Sequence, residues 1–166
     1  MANRGRLLAL DTSGKKLEEL RRRARRAGLS TVAARPIEGG RLPDEARPAG
    51  WDRVLVDSPC SGLGTLRRNP EARWRLDPRT VERFPAQQLA LLVTYAPLVA
   101  PGGRLIYVTC SLLAEENEDR VAAFLQRHRD FSIGEIPAGL PLRRLTPEGY
   151  LRLTPLSTET DPNRFK

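Results

Sequence analysis

The chain has two cysteines, and each stands just beyond an apolar, strand-like run. "WDRVLVDSPCSG" delivers Cys60 and "GRLIYVTCS" delivers Cys110. A strand-end cysteine is usually an inert small hydrophobe. Two at corresponding places suggest nucleophiles, because a thiolate adds to electron-poor carbon. No histidine lies close in sequence to either one as a base. The single histidine, His128, falls at the far end of a predicted helix, where solvation is expected. A cysteine–histidine hydrolase is therefore disfavoured, and a reaction in which the substrate supplies its own acid–base group fits better. Lone His128 also argues against a zinc site, so no metal is expected. Two acids end strand-like runs as well. Asp11 closes "RLLALD" and Asp57 closes "WDRVLVD". Asp11 reads either as an acceptor for the ribose hydroxyls of a nucleoside cofactor or as a helix N-cap beside Thr12 and Ser13. Asp57 reads either as a ligand for a substrate amide or cofactor, or as a turn acid bonded to its own backbone.

The elements that must position these groups follow from the patterning. Strands are predicted over 6–11, 30–35, 51–57 and 103–111. A helix is predicted over 13–29, with Leu17, Leu20, Ala24 and Ala27 on one stripe and Gly28 at its stop. A second is predicted over 85–99 with Pro85 in its first turn. A third is predicted over 114–128, acidic at its start and basic at its end as the helix dipole favours. Residues 37–50 read as loop, "APGG" as a turn, and 142–161 as a weakly alternating antiparallel pair. Strands alternating with helices predict an α/β fold, with a parallel sheet covered by helices on both faces. Ligands of such sheets bind beyond the strand C-termini. Asp11, Asp57, Cys60 and Cys110 would all reach that edge.

The bulk numbers are compatible with this. The chain has 166 residues, 40% of them hydrophobic, which suits one domain. It contains no apolar run of roughly 18 residues, as a membrane span would need, and no secretory leader. A cytoplasmic protein with free thiols is the expectation. Lys and Arg total 28 against 20 acids, a net charge of +8. Such a surface attracts phosphate polyanions, although an Arg-rich proteome would give the same balance.

"VDSPCSGLGTLRRNPEARW" followed by "LIYVTCSLLAEENE" resembles the RNA (cytosine-5) methyltransferases of the Sun/Nop group, most closely the bacterial 16S ribosomal-RNA enzymes. Asp57-Ser58-Pro59-Cys60-Ser61-Gly62 stands for the Pro-Cys motif. Thr109-Cys110-Ser111 stands for the Thr-Cys-Ser motif, with trailing Glu115, Glu116 and Asn117. The resemblance covers residues 1 to 161. It implies a Rossmann-like, three-layer class I methyltransferase fold that uses S-adenosyl-L-methionine and acts on RNA. It implies that Cys110 is the nucleophile adding to cytosine carbon 6, that Cys60 helps to resolve the adduct, and that Asp57 contacts the cytosine edge or the cofactor region. Asp11 matches the ribose-binding acid. Glu38, Asp57 and Pro59 are carried as further cofactor contacts. Arg67, Arg68 and Arg73 become candidate phosphate ligands, a solvated loop being the alternative.

Three departures accompany the resemblance. The family's Gly-rich cofactor loop does not occur, so "RGRLLALD" corresponds to the family's second strand. The expectation is a partial catalytic domain over 1–166, with the first strand, its loop and the amino-terminal RNA-binding region lying upstream. Such a chain is expected to be marginally stable and prone to associate through open strand edges. Arg35-Pro36-Ile37 stands where an acid normally meets adenine, leaving Glu38 as the nearby acid. The chain ends "ETDPNRFK" where the family often closes with another strand. Two alternatives remain open: a catalytically inactive basic RNA-binding fragment, and a DNA cytosine-5 methyltransferase, in which the Pro-Cys cysteine would be the nucleophile.

Overall fold

A computed structural model describes residues 2–74, 76–135, 146 and 149–152. The chain divides into two compact units, residues 1–51 and 52–166.

In the first unit, strand β1 (Leu7–Asp11) leads into helix α1 (Gly14–Arg26) and then strand β2 (Val32–Pro36). β1 and β2 pair in parallel, Leu7 opposite Val32 and Asp11 opposite Pro36. The turn into α1 is set locally. The Asp11 carboxylate accepts the Ser13 N–H at 2.7 Å, and the Ser13 hydroxyl accepts the Lys16 N–H. Ser13 is thus the N-cap. Leu17 and Ala24 bury the inner face of α1, while Ala27 of the expected stripe is exposed at the C-cap. The stop is a Schellman closure: Leu29 N–H donates to Ala24 O and Gly28 N–H to Arg25 O. Gly28 sits at φ +65°, which glycine adopts without steric cost.

In the second unit, strand β3 (Trp51–Asp57), which begins at the boundary, pairs with strand β4 (Val99–Val108). Between them lie a short helix α2 (Pro78–Val81) and helix α3 (Phe84–Tyr95); helix α4 (Glu118–Arg127) follows β4. Leu92, Ala96 and Phe124 form the buried core, with Leu89, Leu105, Tyr107, Leu125 and Phe131 packed against them. The strands that read as one sheet hydrogen-bond as two pairs, β1–β2 and β3–β4.

Several boundaries differ from expectation for local reasons. The helix predicted over 85–99 begins at Phe84 and tightens into a 3-10 turn at Ala96–Leu98. Pro97 has no N–H with which to continue the α-helical ladder. β4 starts at Val99, running through the predicted "APGG" turn with Gly102 at positive φ, and ends at Val108. Thr109 leaves the strand because its hydroxyl donates to the Asn117 side chain at 2.6 Å. The helix predicted over 114–128 is broken. A 3-10 turn covers Ala114–Glu116, Asn117 takes non-helical dihedrals, and α4 begins afterwards. The Asn117 amide donates to Leu113 O (2.7 Å) and Ser111 O (3.2 Å), drawing the chain into a local cap in place of a continuous helix. His128, expected to be solvated, stacks on Phe124 at 4.4 Å between ring centroids. Of the predicted pair over 142–161, only Thr146 and residues 149–152 are described, closing a turn through Thr146 and Tyr150; the remainder lies outside the described residues.

Candidate active site

The C-terminal ends of β3 and β4 meet, Ser58 N–H donating to Val108 O at 3.0 Å. Each strand then turns away and presents its cysteine. Cys60 Sγ and Cys110 Sγ lie 3.3 Å apart. The Cys110 N–H also points at Cys60 Sγ, at 3.4 Å. Both cysteines are free thiols; Cys110 is exposed and Cys60 half-buried. Partial burial of the sulfur, the hydrogen bond with Cys60 and the Cys60 charge push the Cys110 thiol up to about 11. Its own backbone opposes the rise, and the Asp57 carboxylate adds to it. Asp57 therefore acts electrostatically on Cys110, though its side chain and that of Pro59 are exposed.

The turns are fastened to one another from below. Gly64 N–H donates to Cys110 O at 2.9 Å, and a Cβ on Gly64 would come within 2.8 Å of that oxygen. Only glycine permits so close an approach. The Ser61 and Ser111 hydroxyls, each one residue past a cysteine, bond at 3.0 Å.

Glu116 completes the arrangement. It is fully buried, and its carboxylate accepts the Ser61 N–H (2.9 Å) and the Ser61 hydroxyl (2.6 Å). Gln88 from α3, also fully buried, donates to Pro59 O (2.9 Å) and reaches Glu116 at 3.4 Å. The Tyr107 hydroxyl donates to Glu116 O at 2.6 Å. A buried carboxylate is tolerated only when donors surround it, and here they belong to the cysteine turn. Sequence reading places Ser61, Ser111 and Glu116 within the two motifs but gives them no role in the site, and it misses Gln88. Glu116 was hidden because an acid at a helix start normally faces water and the dipole. The available signals are its place among the residues trailing the Thr-Cys-Ser motif and Asn117 directly behind it, a residue type that breaks and caps helices.

Arg67, Arg68 and Arg73 are exposed on the segment that follows the Cys60 turn. The Arg73 guanidinium lies 4.6 Å from the Trp74 ring centroid.

In the first unit, Asp11 and the segment reaching Glu38 share the C-terminal edge of their strand pair, Ile37 N–H donating to Asp11 O at 3.0 Å. One Asp11 oxygen holds Ser13 N–H and the other lies 3.6 Å from Lys16 Nζ. Glu38 is exposed, and its backbone C=O accepts the Arg41 N–H at 2.9 Å. Acids beyond two adjacent parallel strands fit the sugar end of a nucleoside. Lys16 is the competitor that such a ligand would have to displace. Among the described residues, no group of three or more His, Cys, Asp or Glu could hold a metal ion, and no helix is long and apolar enough to cross a membrane.

Strand–helix alternation gives the α/β class, and the family and structural likenesses place the chain among the Rossmann-like methyltransferases, of whose fold it carries part. The sequence profile of the 16S rRNA methyltransferase RsmB/F group matches residues 1–164. The chain belongs to this S-adenosylmethionine-dependent family. It is 42% identical over 133 residues to the probable ribosomal RNA small subunit methyltransferase B of Synechocystis, covering 79% of this chain and 29% of that protein. It is 34% identical over 164 residues to the probable enzyme of the same name from Bacillus subtilis, covering 97% and 37%. The chain thus spans about a third of the length of these curated relatives. Among solved structures it is similar to PH0851 (TM-score 0.76, 34% identity, 84% of this chain and 31% of that one). It is also similar to NSun6 from Pyrococcus horikoshii, solved with SFG (TM-score 0.64, 28% identity, 75% and 31%).

Proposed function

We propose that the chain carries the nucleophile and cytosine pocket of an RNA (cytosine-5) methyltransferase that acts on ribosomal RNA, and that residues 1–166 are part of its catalytic domain. The observation that carries this reading is the pair of free thiols 3.3 Å apart at the ends of β3 and β4. The names of the curated relatives support the RNA class of substrate.

Carbon 5 of cytosine is a poor nucleophile. Cys110 loses its proton and its sulfur adds to carbon 6, so the electrons of the 5,6 double bond become available at carbon 5. S-adenosylmethionine, when bound, supplies an electrophilic methyl group to carbon 5; in the first unit Asp11 and Glu38 are proposed contacts for its nucleoside end, and in the second unit Asp57 and Pro59 are proposed contacts of their own. Removal of the carbon-5 proton then restores the double bond and expels the Cys110 thiolate. Cys60 stands in contact with the Cys110 sulfur and assists this last stage. A thiol pushed up to about 11 is almost wholly protonated at neutral pH. Cys110 therefore gives up its proton as it adds, and the cytosine ring takes it at N3, which gains electron density when carbon 6 is attacked. Asp57 is proposed to contact the cytosine edge and to favour the activated ring. Arg67, Arg68 and Arg73 hold RNA phosphates. SFG, an analogue of S-adenosylmethionine, on a structural neighbour supports the cofactor assignment.

Ribosomal RNA tritiated at cytosine carbon 5 tests the reading. Methyl transfer to that carbon releases tritium to water in step with methyl incorporation. RNA binding with no release would favour the inactive RNA-binding alternative.

A further inference from the structure

We propose that Trp74 is a stacking platform for an unpaired base of single-stranded RNA, set among arginines that hold the neighbouring phosphates. The choice of RNA rests on the function proposed above.

Trp74 is 79% exposed, against 61% for Leu55, the next most exposed large hydrophobic residue described. It is not loose. It ends a 3-10 turn over Pro70–Trp74. The segment is closed by Ala72 N–H to Asn69 O (3.0 Å), and by Arg68 and Asn69 N–H to Thr65 O (2.8 and 3.0 Å). Thr65 in turn bonds back to Gly62, and Gly64 to Cys110 O. A run of hydrogen-bonded turns therefore connects the reactive thiols to the indole. The Arg73 guanidinium over the ring holds it by a cation–π contact while most of the ring stays open to solvent.

Charge identifies the occupant. Residues 67–79 carry five arginines and two acids. One acid, Asp77, accepts the Arg79 N–H as a helix cap; the other is Glu71. An apolar protein partner would want an apolar rim, whereas this rim is cationic. An aromatic face among arginines matches a polyanion that carries flat bases, the combination by which single strands are bound.

The test uses the full chain with Trp51→Phe, which leaves Trp74 as the sole tryptophan. A single-stranded, cytosine-containing RNA oligomer is titrated while indole fluorescence is followed, with inorganic polyphosphate as a base-free control. Stacking predicts saturable quenching by RNA and none by polyphosphate. Trp74→Ala should weaken RNA binding roughly ten-fold and Trp74→Phe should restore most of it. The salt dependence of binding should be the same in Trp74→Ala as in the parent, because every arginine that meets a phosphate is still present. RNA binding without quenching, equal quenching by polyphosphate, or full affinity in Trp74→Ala would overturn the proposal. Trapping of Cys110 on 5-azacytidine RNA is scored separately. An adduct with an unquenched Trp74 rejects stacking and leaves the methyltransferase reading intact. Quenching without an adduct upholds stacking and rejects that reading.

Discussion

The segment from Arg67 to Trp74 follows the Cys60 turn in sequence, and it and the two cysteine turns are built oppositely. The turns are held from every side: by Gly64 against Cys110 O, by Ser61 against Ser111, and by Glu116 and Gln88 beneath. The following segment holds its backbone in short turns and turns its side chains outward. Bond making between a sulfur and a ring carbon demands reactive groups fixed to within fractions of an ångström. Phosphate binding needs only charge within reach. The contrast teaches that perturbations beneath the turns should alter the chemistry, while perturbations of the outer segment should alter affinity.

The largest departure from the native state is expected for Glu116→Leu. It strands the buried Ser61 N–H and leaves the Ser61 hydroxyl with Ser111 alone, costing about 3 kcal/mol. A thermal melt should show the loss, and adduct formation should fall with it. Glu116→Gln keeps an acceptor and should retain part of both. Gly64→Ala comes next. Its Cβ meets backbone, so the Cys110 turn must move. A cost of about 1–3 kcal/mol should accompany a larger fall in the rate of adduct formation than in RNA affinity.

Cys60→Ala sharpens the electrostatic side of the comparison. Burial would still hold the Cys110 thiol up, but the Cys60 hydrogen bond and charge would be gone. The pH profile of Cys110 alkylation by iodoacetamide should therefore shift to lower pH. In the native chain the rate should keep rising towards pH 11, because the protonated thiol persists that far. The raised value also fixes the sign of the stability effect. The folded state holds this proton more tightly than the unfolded one, so the contribution is complete below the ordinary thiol range. It is lost as pH rises from there to about 11. Arg67→Ala with Arg68→Ala should have the smallest effect on structure. The melt should be unchanged, and the slope of log affinity against log salt should fall by roughly 0.7 for each single-strand phosphate that is no longer neutralised.

Much of this was legible in the sequence. The four strands lie where apolar runs ended in Asp11, Arg35, Asp57 and the Thr-Cys pair, because strand position follows local hydrophobicity. Cys60 and Cys110 could be placed at one edge from the alternation of elements alone. What could not be read depends on side-chain direction. Whether Glu116 faces water or Ser61 is decided by the Asn117 kink, and that kink by hydrogen bonds to residues up to eight positions away. His128 likewise packs on Phe124 because of where α4 ends. The exposure of Leu55, Ile106 and Val108 on strands that read as buried was also out of reach. A run of apolar residues does not say which of its faces finds a cover.

The central claim is that Cys110 is the nucleophile and Cys60 its attendant, and covalent trapping tests it most directly. RNA carrying 5-azacytidine, with S-adenosylmethionine present, blocks the final elimination and keeps the attacking sulfur attached. The native chain and Cys60→Ala should both yield an adduct stable to denaturation, and Cys110→Ala should yield none. An adduct that survives in Cys110→Ala but disappears in Cys60→Ala would assign the chemistry to the other sulfur and contradict the account.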